Sequence, residues 1–189
     1  MKISDIIAMA QGESSRFRKW LCWTLAKEVS LDRGGNIIPE NDEDGEGITF
    51  AGMTQRSDDL PVDSCGNVTA SPGWMVTRYL LGYWSPLAPQ LPYPVGECVA
   101  NFALTDGPSP AVRFLQEALN DLGLSVAVDG VLGSRTLAAA WKLTNEDALA
   151  RRLCSHAINY YHAVGVGDRS RDLQGWLNRT DDLLLTFCS

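Results

Sequence analysis

The chain has no apolar run long enough to cross a bilayer, because charged side chains recur every few residues along its 189 positions. Its opening, MKISDIIAMAQGESSRFRKW, also lacks the uninterrupted apolar stretch of a secretion leader. The expectation is a chain made in the cytoplasm with no membrane span. Cations are in deficit: 16 Lys and Arg against 23 Asp and Glu leave a net charge of -7. That balance argues against a nucleic-acid-binding face, which needs clustered Lys and Arg to neutralise phosphates, and against strong adhesion to anionic polymers. Cys22, Cys65, Cys98, Cys154 and Cys188 are odd in number and show no CxxC spacing, so neither a zinc site nor a fully paired disulfide framework is indicated. Free, mostly buried thiols are expected. The only histidines, His156 and His162, stand six apart, a poor spacing for a shared ligand on a helix. No Gly-x-Ser-x-Gly elbow is present, and Cys154 close before His156 is not the spatial pairing a cysteine hydrolase needs. No metal or cofactor is expected.

What remains is a chain with 45% hydrophobic residues, long enough for one substantial core. Trp20, Leu21, Trp23, Leu25 and Val29 among charged neighbours predict a partly buried helix from about Phe17 to Asp32, stopped by Gly34-Gly35. Residues 36 to 59 are acidic and rich in turn formers, and read as a loop or small irregular β element. Within them E-N-D-E-D-G-E-G-I-T-F-A spaces carboxylates as a calcium loop does. It begins on Glu40, however, and ends on Ala51 where the bidentate glutamate would stand, so calcium is not assigned. Ser71-Pro72 opens a helix closed by Tyr83-Trp84, Val95 to Leu104 forms another that ends at Asp106-Gly107, and Ser109-Pro110 restarts the chain in the same cap-plus-proline way. Ser134 caps a helix that buries Leu137, Ala138 and Trp141; Asn145 caps one from Glu146 to about Val164, and Leu173 to Phe187 gives the last. Phe114 and Trp141 are expected in the core. The fold class is mainly α: one lysozyme-like helical domain over residues 1–189, with an N-terminal lobe (1–90) carrying the acidic loop and a C-terminal helical lobe (91–189), the two flanking one groove.

The ordered set Asn101-Phe102, Thr105-Asp106-Gly107, Leu115-Gln116, Val128-Asp129-Gly130 with Gly133 and Thr136, and Gly175-Trp176 with Arg179 resembles the C-terminal half of phage-type and secretion-associated N-acetylmuramidases (glycoside hydrolase family 108). That half is often catalogued as a peptidoglycan-binding region. The resemblance spans about half the chain. In the N-terminal half the family carries Glu-Gly-Gly-Tyr at the end of its first long helix, then an Asp-Pro-Gly-Gly-x-Thr loop running into Gly-Ile-Thr. Placing Gly52-Met53-Thr54 on that last element sets Thr49 and Asp44 on the loop threonine and aspartate. Gly34-Gly35 then fall on the helix-ending glycines, and Arg33 falls where the catalytic glutamate belongs.

Glycoside cleavage needs a neutral carboxylic acid to protonate the leaving oxygen and a second carboxylate or held water at the oxocarbenium-like centre. Arginine stays protonated and supplies neither. The candidates for a relocated acid are Asp32, Glu28 and Glu46, with Asp32 first, and with Asp44 and Thr49 positioning water or substrate. Arg33, Glu46, Asp106, Trp84 and Trp176 are the candidate substrate contacts, the tryptophans as faces for a saccharide ring. Arg33 is expected to pair with an acidic residue of the 40–46 loop, Asp44 first. The implied partner is bacterial peptidoglycan, reached at the cell wall after release or export. The implied reaction is hydrolysis of the β-1,4 bond between N-acetylmuramic acid and N-acetylglucosamine. The alternative is a silent descendant of that fold that binds glycan or a protein partner.

Overall fold

The computed structural model describes residues 1–42, 47–167 and 170–188. It is mainly helical with a three-stranded antiparallel sheet, and its contacts divide the chain into two compact units, Met1–Gly82 and Tyr83–Ser189. Among the described residues no helix is long and apolar enough to cross a membrane.

In the first unit, α1 (Ile3–Met9) leads to α2 (Ser15–Glu28), which starts where the Ser14 hydroxyl accepts a hydrogen bond from the Phe17 amide at 3.2 Å. Phe17, Leu21, Thr24 and Glu28 recur at helical spacing, and the first three are buried. This stripe carries the core face into the helix's last turn. Trp20 closes on Tyr79 edge to face, with ring centroids 6.1 Å apart. The chain leaves the helix at Val29, which is extended. The predicted helix therefore ends four residues early: Asp32 and Arg33 are not helical but sit in a tight turn flanked by the Leu31–Ile37 bridge. β1 (Glu40–Asp42), β2 (Gly47–Phe50) and β3 (Met53–Thr54) follow, with Glu40 opposite Thr49 and Thr49 opposite Thr54. The unit closes with α3 (Pro72–Arg78), capped by the Ser71 hydroxyl as expected and continued by a π-helical turn, Tyr79–Trp84.

The Asp32 turn has a twin. In L-D-R-G-G-N-I and V-D-S-C-G-N-V, Asp32 and Asp63 each accept two backbone amides through Oδ1: Gly34 and Asn36 at 2.8 Å for the first, Cys65 at 2.8 Å and Asn67 at 2.9 Å for the second. Each Oδ2 accepts from the asparagine amide four residues on, at 3.0 and 2.9 Å. Gly35 and Gly66 take the positive φ, 74° and 81°, that the turn demands. The asparagine side chain first, then the backbone amides, hold both carboxyls below the usual carboxylate range. A lowered folded-state pKa gives stability that is present above the unfolded value of about 3.9 and lost as pH falls through the folded one. The melting temperature should therefore fall as pH drops below about 4, and Asp63→Ala should flatten that fall; an unchanged slope in thermal melts across pH would contradict it.

In the second unit, α4 (Val95–Asp106) is buried on every side from Val95 to Ala103, the pattern of a central helix, and α5 (Pro108–Asp121) and α7 (Glu146–Val164) pack on it. α6 (Ser134–Lys142) lies against α5, and α8 (Ser170–Phe187) against α7. Phe114 is buried as expected, edge to face on Phe102. Asn145 caps α7 through the Ala148 amide, also as expected. Three expectations are corrected. Pro108, not Pro110, is the first residue of α5, and Gly107 rather than Ser109 takes the cap position. Ser134 is the first residue of α6 and the cap position is Gly133, without a side-chain bond. Trp141 is 60% exposed, because α6 turns Thr136 and Ala140 to the core in place of Leu137, Ala138 and Trp141. Its ring is nonetheless fixed, since Nε1 donates to the Gln90 carbonyl at 2.8 Å. All five cysteines are free, with Cys98 and Cys154 buried but Cys22 and Cys65 exposed.

The C-terminal motif residues form a structural lock. Gln116, 1% exposed, accepts from the Gly130 amide at 2.9 Å and donates to Asp129 Oδ1 at 2.8 Å, the Val131 carbonyl at 3.1 Å and Thr136 Oγ1 at 3.2 Å. One side chain thus pins the Val-Asp-Gly turn to α5 and to the start of α6. Gly130 must be glycine: its φ is +76° and a Cβ would meet Ser109 Oγ at 2.3 Å. Gln116→Leu keeps the volume but leaves the Gly130 amide unsatisfied, so a loss of about 2 kcal/mol is expected in chemical unfolding. A loss too small to measure would show that the turn holds itself.

Candidate active site

The first unit places one carboxylate at the meeting point of helix and sheet. Glu28 is the last residue of α2, partly buried, and its side chain lies along the β2–β3 turn. A Cβ built on Gly52 would lie 2.9 Å from Glu28 Oε2 and 3.1 Å from its Cγ. Gly52 is thus required twice, for this approach and for its φ of +71°. Its partner in the two-residue turn, Ala51, has φ +50°, uncommon for a residue with a Cβ. The turn is held from the other side by the buried Tyr79 hydroxyl, which donates to the Ala51 carbonyl. A strained turn fixed by two helices is a rigid place to rest a functional carboxylate.

Thr49 lies one residue from that turn in β2. Directly opposed antiparallel residues point to one face, so Glu40, Thr49 and Thr54 share a face of the sheet. Glu40 accepts from the Ser30 hydroxyl, just past Glu28 in the chain, and Thr54 Oγ1 accepts from the Ser57 amide at 3.0 Å. Thr49 Oγ1 is buried and, among the described residues, has no hydrogen-bond partner. A buried hydroxyl left unsatisfied is costly and calls for a further group.

Buried Asp58 joins β3 to α3. Its Oδ2 accepts from the Thr54 amide at 2.9 Å, and its Oδ1 accepts from Arg78 Nε and Nη2, both at 3.0 Å. Arg78 also donates to the Ser57 carbonyl at 3.3 Å.

The structure treats the other expected residues differently. Asp32 is exposed, with both oxygens engaged in its own turn and its pKa lowered, the opposite of what a proton donor at neutral pH requires. Arg33 is exposed in the same turn, five residues beyond the end of α2, and among the described residues it has no ion pair. Asp44 and Glu46 lie outside the described residues, as does the pairing expected for Arg33. Trp84 is 3% exposed and cannot offer a face to a sugar. Trp176 is half-buried, stacked on Tyr161 at 5.3 Å between centroids.

Asp106, at the end of α4, accepts from the Tyr161 hydroxyl and the Thr105 hydroxyl, both at 2.7 Å. Burial pushes its carboxyl upward, partly offset by these donors and by Arg179. Arg179 Nε in turn donates to Asn101 Oδ1 at 2.8 Å. Asn101, Asp106, Trp176 and Arg179, scattered in sequence, therefore belong to one polar and aromatic network in the second unit. Among the described residues no cluster of His, Cys, Asp and Glu could hold a metal ion.

The sequence reading carried α2 on to Asp32. The signal against this is the repeat itself: a second D-x-x-G-N turn, at Asp63, identifies the first as a turn rather than a helix end.

Residues 110–181 match the family model described as "Predicted Peptidoglycan domain". No curated protein is similar enough to the chain to match it. Among solved structures, that of SagA from Brucella abortus is similar, with 24% identity and a TM-score of 0.71 over 89% of this chain and 91% of that one. At this identity the likeness is one of fold, and the chain has the fold of SagA along most of its length.

Proposed function

We propose that the protein is a peptidoglycan-directed, lysozyme-like glycoside hydrolase that cleaves the β-1,4 bond between N-acetylmuramic acid and N-acetylglucosamine, with Glu28 as the general acid. The single observation that carries this reading is the position of Glu28: a carboxylate ending a long helix and resting on the turn of a small antiparallel sheet. The muramidase resemblance sets Arg33 at its glutamate position; ending the helix at Glu28 instead moves that helix-end position to Glu28. Val29-Ser30 then stand in place of the family's two glycines. The match of residues 110–181 to a predicted peptidoglycan domain supports the substrate.

In this reading Glu28 delivers its proton to the glycosidic oxygen as the bond to the anomeric carbon breaks. Asp44 and Thr49 hold the water that attacks that carbon, and Asp44 takes the proton the water loses. The unsatisfied Thr49 hydroxyl supports its part, since a bound water or sugar hydroxyl would complete its hydrogen bonding. The test is muropeptide release from purified sacculi by the full chain. Release by the wild type that is lost in Glu28→Gln supports the assignment. Binding of sacculi without any release would replace it with the alternative, a silent member of the fold that holds glycan.

A further inference from the structure

The second unit contains a cleft of about 410 Å³ between α6 and the segment Gly123–Val126. Arg135, Ala138, Ala139 and Lys142 form its helical wall, spaced so that all four share one face of α6. In a chain of net charge -7, two cations line this cleft and no carboxylate does. Among the described residues neither Arg135 nor Lys142 has a hydrogen bond or ion pair. Ala138 and Ala139 keep the floor low between them. The facing segment is preorganised: Asn120 clamps it by accepting from the Val126 amide at 2.8 Å and donating to the Val126 carbonyl at 3.0 Å. A second hollow of about 300 Å³ shares Ser125, Val126 and Arg135. It carries the Asp129 carboxylate, already engaged by Gln116 and the Val131 amide, so the cationic stretch is the cleft along α6.

We propose that this cleft binds an extended acidic peptide, the stem peptide of peptidoglycan, through carboxylates placed on Arg135 and Lys142. The two cations are seven positions, two helical turns, apart, which sets them about 10 Å apart along the axis. An extended peptide advances roughly 3.3–3.6 Å per residue, so carboxylates about three residues apart span that distance. The stem peptide carries free carboxylates at such an interval, whereas the uncharged glycan does not. The inference rests on the peptidoglycan reading of this chain but not on hydrolysis, and it lies within the segment that matches a predicted peptidoglycan domain.

The test is calorimetric titration of the full chain with a synthetic stem pentapeptide, with the same peptide amidated at its carboxylates, and with chitotetraose. The pentapeptide should bind the wild type and weaken with added salt. In R135Q/K142Q its affinity should fall at least about tenfold, with an unchanged melting temperature, and the amidated peptide should show a similar loss on the wild type. Equal pentapeptide binding by R135Q/K142Q would overturn the proposal. So would chitotetraose binding that this variant loses, because it would give the cleft to sugar. Intact sacculi together with pentapeptide binding that depends on Arg135 and Lys142 would reject the hydrolase and keep the cleft; sacculus cleavage without pentapeptide binding would do the reverse.

Discussion

Glu28→Gln should lower muropeptide release by about a hundred- to ten-thousand-fold, the usual contribution of a positioned general acid, while the melting temperature stays where it is. Glutamine has the same shape, so it can lie along Gly52 as the glutamate does and leave the β2–β3 turn intact. It cannot give up a proton at working pH, so only the chemical step should suffer, and the variant should still sediment with sacculi. Asp32→Asn is the matched control. Asp32 is exposed, with its oxygens committed to the Gly34 and Asn36 amides, and its replacement should leave release unchanged. Thr49→Val, which removes a buried hydroxyl without changing shape, should cost activity but not stability, since that hydroxyl has no partner to lose among the described residues. Full release by Glu28→Gln, or loss of release in Asp32→Asn, would place the acid elsewhere.

Most of the helical framework is legible from local chemistry. Ser71-Pro72 and Asn145 announce their helices because a side-chain oxygen that caps the first amides, or a proline suited to the first turn, acts within four residues. The unbroken apolar character of α4 likewise declares a central helix. What could not be read is where local signals compete. Val29 continues the apolar pattern of α2, yet Asp32 forms more hydrogen bonds by folding back on Gly34 and Asn36 than a helix would offer it. Trp141 reads as core by hydrophobicity, but its indole edge is claimed by the Gln90 carbonyl 51 residues away, a partner no local pattern contains. The site shows the same division. Of the proposed site, Thr49 follows from the muramidase resemblance, whereas Glu28 comes forward only when the sheet turn is seen to fold against the end of α2.

Asp58→Ala should be among the most damaging substitutions in the first unit, with a loss of about 3 kcal/mol in chemical unfolding. The carboxylate is 4% exposed and serves two elements at once, accepting from the Thr54 amide of β3 and from Nε and Nη2 of Arg78 in α3. Removing it leaves the guanidinium and a backbone amide without this acceptor, and an uncompensated charge costs more than the intact pair contributes. The Arg78 side chain is one-third exposed and keeps its bond to the Ser57 carbonyl, which places the loss at the lower end of the range for buried pairs. Arg78→Lys keeps the charge but gives up the fork that meets one carboxylate oxygen through two nitrogens, so it should lose less than Asp58→Ala. Replacing both residues, Asp58→Leu with Arg78→Met, should recover part of the loss, because no charge is then left buried. The damage should also reach the site: Thr54 pairs with Thr49, so β3 freed from Asp58 loosens the strand that carries the unsatisfied hydroxyl. Hydrogen exchange at the Thr49 and Thr54 amides should accelerate in Asp58→Ala relative to α4, and equal acceleration throughout the chain would mean that Asp58 acts on global stability alone.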